Sequence, residues 1–145
     1  MLNEIMYTAE VTNLGARTGS VSSSDGVLEL QVRQPQVLGG PVDGKYTNPE
    51  QLFAAAYAAC FGGALAGVGK GKNMKDATVT AKVHIGKADT GYGIGAELHV
   101  VLPHLSQEEA QTLVENAHQL CPYSKATRGN IDVKLVATGG LWDFK

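Results

Sequence analysis

The sequence has little of the features that most often reveal a function: an excess of one charge, cysteine and aromatic side chains. Twelve Lys and Arg residues stand against fourteen Asp and Glu, a formal net charge of -2. Without a cluster of positive charge there is no surface to follow nucleic-acid phosphates, which argues against a nucleic-acid partner. The two cysteines form no C-x-x-C pair and the four histidines show no zinc-ligand spacing, so we predict neither a metal nor a cofactor.

What is present is the composition of a globular protein. The chain has 145 residues, 43% of them hydrophobic and 18% charged, which predicts a single domain over residues 1–145. The first residues, MLNEIMYTAE, lack the basic and apolar regions of a signal peptide, so we expect a cytoplasmic protein. Thiols in that compartment stay reduced, which makes a permanent structural disulfide an unfavoured role for the cysteines.

Hydrophobic periodicity predicts an α+β fold. Partial alternation of apolar and polar residues predicts strands at 4–11, 27–33, 78–86, 94–102 and 131–138. Turn residues between the third and fourth of these predict an antiparallel hairpin, with His84 on the solvent side. Helices are predicted over 49–69 and 106–120, and Pro122 is suited to begin a further short helix with Cys121 at its N-terminal cap.

The first predicted helix is unusually apolar. Asn48, Pro49 and Glu50 are typical of a helix start, and residues 52–68 contain no charge. Such a length touches the lower limit of a membrane span. Because the segment is rich in alanine and glycine, with low hydrophobicity, we expect it to be buried in a core or subunit interface and predict no membrane association.

The two cysteines are the candidate reactive groups. A thiol reduces peroxides only as the thiolate, so a reactive cysteine requires a nearby cation. Arg17 lies between Gly15 and Gly19 in a turn-like stretch, and Glu50 is suited to orient its guanidinium. The plainer interpretation is a surface arginine and a helix-capping glutamate. Because a helix places Glu50 and Cys60 about 15 Å apart, either a long arginine or a second subunit must complete such a site.

Residue chemistry by itself leaves three functions open. The chain is a thiol peroxidase, a module that binds a hydrophobic ligand while its cysteines are passive, or a redox sensor that signals through a disulfide. Nothing in composition or spacing decides between them.

Two long segments, each containing one cysteine, resemble a known family. Residues 48–61 read NPEQLFAAAYAACF and residues 121–130 read CPYSKATRGN. They are similar to the signature segments of the organic hydroperoxide resistance proteins of the Ohr/OsmC superfamily, and the likeness also covers residues 7–9, 15–21, 38–40 and 131–133. The sister OsmC-type branch, with a broader range of peroxide substrates, usually has different residues in these segments.

The resemblance implies an OsmC-like α+β fold of antiparallel sheets packed around a buried cysteine-bearing helix in an intertwined homodimer. It implies Cys60 as the peroxidatic residue, Cys121 as the resolving residue, and Arg17 with Glu50 as the activating pair. It also implies an organic hydroperoxide substrate and a dithiol reductant, expected to be a lipoylated protein. Apolar neighbours are candidates for a substrate pocket, with core packing as the alternative for each: Leu52, Phe53, Tyr57, Phe61, Leu65 and Tyr123. Residues 139–145 receive no assignment.

Overall fold

The structure, a computed structural model, describes residues 1–141. Their contacts divide the chain into two compact units, Met1–Leu52 and a second unit from Phe53 onward. The single domain expected from the length therefore stays a prediction. Trp142 and Phe144, in the unassigned C-terminal segment, lie outside the described residues.

The first unit contains a small antiparallel sheet. Strands β1 (Val11–Leu14), β2 (Ser20–Ser23) and β3 (Glu29–Gln31) pair in that order. The strand expected over residues 4–11 is wrong, because regular pairing begins only at Val11. Strand β2 was not predicted: its sequence, SVSS, offers no apolar alternation, and its pairing follows from the tight turn that folds it back on β1.

The turn between β1 and β2 is unusually tight. It contains a short 3₁₀ segment, Ala16–Thr18, that begins after Gly15 in the left-handed region at φ 85°. Ala16 is also left-handed, at φ 54°, a costly conformation for a residue with a side chain. At Gly19 an added Cβ would lie 1.6 Å from the Leu14 carbonyl oxygen, so only glycine fits. The two glycines therefore set the backbone path that carries Arg17.

The second unit contains another three-stranded sheet. Strands β4 (Thr78–Lys87) and β5 (Tyr92–Val101) form the predicted antiparallel hairpin, and β6 (Val133–Thr138) lies parallel to β5. Helices α2 (Gln107–Leu120) and α3 (Pro122–Thr127) lie in the long connection that a parallel pair requires. His84 is exposed and contacts Glu97 at 2.9 Å, in agreement with the solvent side predicted for it.

The predicted helix starts are confirmed. Helix α1 spans Pro49–Val68, and Asn48 Oδ1 accepts a hydrogen bond of 2.8 Å from the Gln51 N–H. At the start of α2, Ser106 and Glu109 form the expected capping box. Cys121 ends α2 and is also the N-cap of α3, because the following proline disfavours helical geometry at the cysteine.

The core of the second unit lies between the sheet and the helices. Helix α1 contributes Tyr57, Phe61 and Leu65, while its small residues Ala55 and Gly63 are exposed. The remaining buried members of the cluster are Leu98, Val100, Leu102, Leu105, Ala110, Leu113, Val114, Ala117 and Cys121. By length and mean hydropathy, 1.5, α1 is long and apolar enough to cross a membrane, and 17% of this segment is buried within the part of the chain that the structure describes.

We expect Gly19→Ala to destabilise the first unit by about 1–3 kcal/mol, because the new Cβ must displace the Leu14 carbonyl. Chemical denaturation measures the change in the free energy of unfolding. Gly86→Ala is the matched control, since an added Cβ there meets nothing within 4 Å. Equal stability of the two variants would contradict the packing argument.

Candidate active site

Arg17 and Glu50 form a two-point ion pair in the first unit. Arg17 Nη2 lies 2.9 Å from Glu50 Oε1, and Arg17 Nη1 lies 3.3 Å from Glu50 Oε2. The Arg17 side chain is 38% exposed and that of Glu50 only 11%. The carboxylate thus fixes the plane of the guanidinium, while the remaining N–H donors of Arg17 stay available to another group.

The pair stabilises both charges. The hydrogen bond from Arg17 holds the pKa of Glu50 below its ordinary value, against the opposing effect of burial. The same bond raises the pKa of Arg17. Glu50 is therefore a carboxylate at neutral pH, and Arg17 is a permanent cation.

Cys60 and Cys121 lie together in the second unit as free thiols. The two sulfurs are 3.7 Å apart, within hydrogen-bonding distance. Cys121 is fully buried, whereas Cys60 is partly accessible. Because a disulfide has a sulfur–sulfur length of about 2.05 Å, a small side-chain movement is enough to join them.

The surroundings of Cys60 have opposing effects on its ionisation. Burial raises the pKa of Cys60, and the neighbouring Cys121 adds to the increase. The Tyr123 N–H, in the first turn of α3, donates to the Cys60 sulfur and lowers the pKa. Burial prevails, so within this unit the neutral thiol is the favoured form of Cys60, and a reactive thiolate requires further positive charge.

A cavity of about 290 Å³ opens in the second unit. It is mostly apolar, and Tyr123 belongs both to its lining and to the hydrogen bond with Cys60. The residues lining it are Phe53, Ile94, Tyr123, Ala126, Thr127, Asn130 and Ile131. Its size and lining suit a hydrophobic small molecule.

The predicted pocket residues separate into two groups. Phe53 and Tyr123 line the cavity. Tyr57, Phe61 and Leu65 belong to the buried core, as the alternative of core packing expects. Leu52 is partly buried in the first unit. The rings of Phe53 and Tyr57 meet edge to face at 6.1 Å, so the core residue supports the lining residue from behind.

Sequence reasoning missed several residues of this region. Ile94, Asn130 and Ile131 line the cavity, and Ser124 and Thr127 are buried polar residues of α3. The hydroxyls of Ser124 and Thr127 contact the Tyr57 hydroxyl at 2.8 and 3.1 Å. The sequence did contain a signal for these residues, because all of them except Ile94 lie in or directly beside the family-like segment CPYSKATRGN. Within residues 1–141, no group of three or more metal-ligating side chains is found.

Together these features define a class: an α+β protein in which a reduced, partly accessible dithiol lies at the start of a short helix beside an apolar cavity. Comparison with known proteins gives the family. A family model described as OsmC-like protein matches residues 42–136. The chain belongs to the OsmC-like family, within its organic hydroperoxide resistance branch.

The similar proteins cover nearly the whole chain. An organic hydroperoxide resistance protein from Xanthomonas axonopodis pv. citri is 47% identical, over 91% of this chain and 94% of its own length. OhrB of Bacillus subtilis is 50% identical, over 90% of this chain and 96% of its own length. A crystal structure of an organic hydroperoxide resistance protein from Elizabethkingia anophelis, with thiocyanate bound, superposes with a TM-score of 0.87 at 51% identity, covering 94% of this chain and 99% of that one.

The ion pair predicts a specific pH dependence of stability. The pKa of Glu50 is lower in the folded chain than its unfolded value of about 4.5, so the pair stabilises the fold fully above that pH. We expect Glu50→Gln to lower the free energy of unfolding by about 1 kcal/mol at pH 7. The difference from the wild type should shrink as the pH falls below 4.5 and through the lower pKa of the folded state, as measured by urea denaturation.

Glu29→Gln is the control: it removes the same charge from an exposed position on β3, so it should leave the free energy of unfolding nearly unchanged. A stability difference for Glu50→Gln that persists unchanged at pH 3 would show that charge pairing is not its cause.

Proposed function

We propose that this protein is a thiol-dependent peroxidase that reduces organic hydroperoxides to alcohols and so acts in organic hydroperoxide resistance. The observation that carries the proposal is the distance of 3.7 Å between two free thiols, one buried and one partly accessible. That arrangement suits a catalytic cycle between dithiol and disulfide better than a passive core position. The names of the similar proteins, organic hydroperoxide resistance proteins, point in the same direction.

The first step oxidises Cys60. Its thiolate attacks the outer oxygen of R–O–O–H, the O–O bond breaks, and the alkoxide leaves and takes up a proton as R–OH. Cys60 becomes a sulfenic acid, Cys–S–OH. Partial accessibility of Cys60 and full burial of Cys121 favour this assignment of roles, because the substrate must reach the attacking sulfur.

The second step consumes the sulfenic acid. The Cys121 sulfur attacks the Cys60 sulfur, a disulfide forms, and hydroxide leaves and is protonated to water. A dithiol of a reductant then exchanges with the Cys60–Cys121 disulfide, restoring both thiols and becoming a disulfide itself. On the family resemblance, that reductant is a lipoylated protein in the cytoplasm.

Arg17 and Glu50 act in this proposal as the activating pair. Burial raises the pKa of Cys60, so the first step needs a cation to stabilise its thiolate and the negative charge that develops on the leaving oxygen. The free donors of an arginine held by a carboxylate suit that task. The assignment follows the resemblance in the segments that contain Arg17 and Glu50.

The cavity supports an organic rather than an inorganic peroxide. Its lining is mainly aliphatic and aromatic, and about 290 Å³ is far more space than hydrogen peroxide needs. An alkyl or fatty-acyl chain gains free energy by leaving water for such a lining, whereas hydrogen peroxide does not. The alternative function, passive binding of a hydrophobic ligand, also accounts for the cavity, but it does not explain why two thiols lie in contact.

We expect reduced protein mixed with one equivalent of cumene hydroperoxide to lose both thiols at a rate on the order of 100-fold above that of free cysteine. Hydrogen peroxide should react more slowly. Rapid-quench kinetics measures thiol loss, and mass spectrometry of peptides identifies the Cys60–Cys121 disulfide.

Cys60→Ser should abolish the reaction, and Cys121→Ser should stop at a sulfenic acid that dimedone traps. Arg17→Ala should slow only the first step. Thiols that persist at the rate of free cysteine would favour the ligand-binding alternative. Slow oxidation that no dithiol reverses would favour a redox sensor.

The proposed assembly is a homodimer, supported by a face of α1 that the described residues leave exposed. That face carries small residues, Ala55, Ala59, Gly63, Ala66 and Gly67. Small residues allow close approach of a second helix, and exposure of so apolar a helix is otherwise unfavourable. The exposed apolar residues near the N-terminus, Leu2, Ile5, Met6 and Tyr7, fit the same proposal.

We expect size-exclusion chromatography with light scattering to give a dimer of twice 15.2 kDa. Ala66→Arg, on the exposed face of α1, should shift the protein toward monomer because a buried unpaired charge is costly. Thr80→Arg, on the exposed face of β4, is the control and should remain dimeric. A dimeric Ala66→Arg variant would place the interface elsewhere.

A further inference from the structure

A chain of buried hydrogen bonds joins the α-helices of the second unit. Tyr57 on α1 contacts Ser124 on α3 at 2.8 Å and Thr127 on α3 at 3.1 Å. Ser124 Oγ also contacts His118 Nδ1, in the last turn of α2, at 2.8 Å. Tyr57 and Ser124 are fully buried and Thr127 is 6% exposed. Buried polar groups are costly unless paired, so this cluster is stable only when its hydrogen bonds are complete.

The number of hydroxyl protons determines which residue is the donor in each hydrogen bond of this chain. Thr127 Oγ1 donates to the Ser124 carbonyl, so its single proton is used there. The Tyr57 hydroxyl must then donate to Thr127, and Ser124 must donate to Tyr57. Each hydroxyl has one proton, so the contact between Ser124 and His118 needs a proton from the imidazole. His118 therefore has its proton on Nδ1.

The hydrogen-bonded residues lie at the same spacing from each of the two cysteines. Tyr57 precedes Cys60 by three residues on α1, and Ser124 follows Cys121 by three residues. Residues three apart lie on the same side of a helix. The contact between Tyr57 and Ser124 thus forms one cross-link between α1 and the start of α3, and the sulfur pair forms the next.

His118 holds the connection between α2 and α3 from the α2 side. It attaches Ser124 to the end of α2, and Arg128, just beyond α3, donates to the His118 carbonyl oxygen. The backbone around Cys121, which joins α2 to α3, is held from both sides. A shift of α3 would break contacts to both other helices at once.

We propose that the chain from His118 through Ser124 and Tyr57 to Thr127 positions the resolving thiol, keeping Cys121 at reacting distance from Cys60 so that the disulfide forms before the sulfenic acid meets a second hydroperoxide. This inference rests on the proposed peroxidase function and concerns its second step. Ser124 and His118 are positioning residues in it, because their side chains hydrogen-bond to each other and to Tyr57 and act on the sulfurs only through the helices that they join.

Two reactions compete for the sulfenic acid. Attack by Cys121 gives the disulfide and water. Attack on a further R–O–O–H gives sulfinic acid and R–OH, which inactivates Cys60. The first rate depends on the distance between the sulfurs, whereas the second depends on hydroperoxide concentration. A misplacement of about 1 Å is enough to slow a positioned reaction by up to about 100-fold.

The test is the partition between these products in Ser124→Ala. Reduced protein is mixed with increasing cumene hydroperoxide, quenched, and analysed by mass spectrometry for disulfide and sulfinic acid. We expect loss of the first thiol within about twofold of the wild-type rate, and disulfide formation slowed by about tenfold or more. Sulfinic acid should appear at correspondingly lower hydroperoxide concentrations.

Val114→Ala is the matched control, because Val114 is a fully buried residue of α2 that takes no part in the hydrogen-bond chain. It should lower the melting temperature without changing the partition. Wild-type partition in Ser124→Ala, or an equal change in Val114→Ala, would overturn the proposal. Failure of the peroxidase function itself is distinct, since wild-type protein would then react no faster than free cysteine.

His118 supplies a second test that does not depend on Ser124→Ala folding. Burial lowers the pKa of His118, so the ring is neutral at pH 7.5 and has one proton. Nitrogen-15 NMR should show the Nδ1–H tautomer; the Nε2–H tautomer would overturn the assigned direction. His118→Asn, which keeps a donor near the Nδ1 position, should retain the wild-type partition. His118→Leu should raise sulfinic acid, and identical partition in these two variants would contradict the role of the donor.

Discussion

The structure of the second unit centres on one contact, that between two free thiols. At 3.7 Å the sulfurs touch, and Cys121 is fully buried, which limits its access to other molecules. Around this pair, α1 supplies Cys60, the junction of α2 and α3 supplies Cys121, and the sheet closes the core beneath them. Because the packing already places the sulfurs in contact, the disulfide of the proposed function would form with little further loss of chain entropy.

The same burial creates an electrostatic difficulty. Removing Cys60 from water favours its neutral form, whereas peroxide chemistry requires the anion. The N–H of Tyr123 offsets part of that penalty, and the proline that starts α3 directs the helix so that this donor points at the sulfur. In the first unit, two glycines force a turn that presents Arg17, and Glu50 fixes its plane. In each unit, rigid backbone holds a donor or a cation in place, which is what the proposed peroxidase function asks of Tyr123 and of Arg17.

Prediction from sequence was most accurate where local chemistry determines structure. The caps at Asn48 and Ser106, the hairpin of β4 and β5, and the helix start at Pro122 all follow from signals within a few residues. It failed at residues 4–11 and at the serine-rich strand β2, where pairing depends on the path of a turn. For Tyr57 it left a substrate pocket and core packing both open, because the hydroxyls of Ser124 and Thr127 that contact Tyr57 cannot be read from the local sequence.

The sequence by itself determined the residue chemistry and the family. Two long segments around Cys60 and Cys121 are specific enough for that, because many positions must match together. Only the tertiary structure decided that the two sulfurs meet, that Glu50 pairs with Arg17 across 33 residues of sequence, and that Ser124, Thr127 and His118 share one hydrogen-bond chain. The physical reason is that such contacts depend on the packing of elements distant in sequence, and no local pattern of residues encodes the distance between two helices.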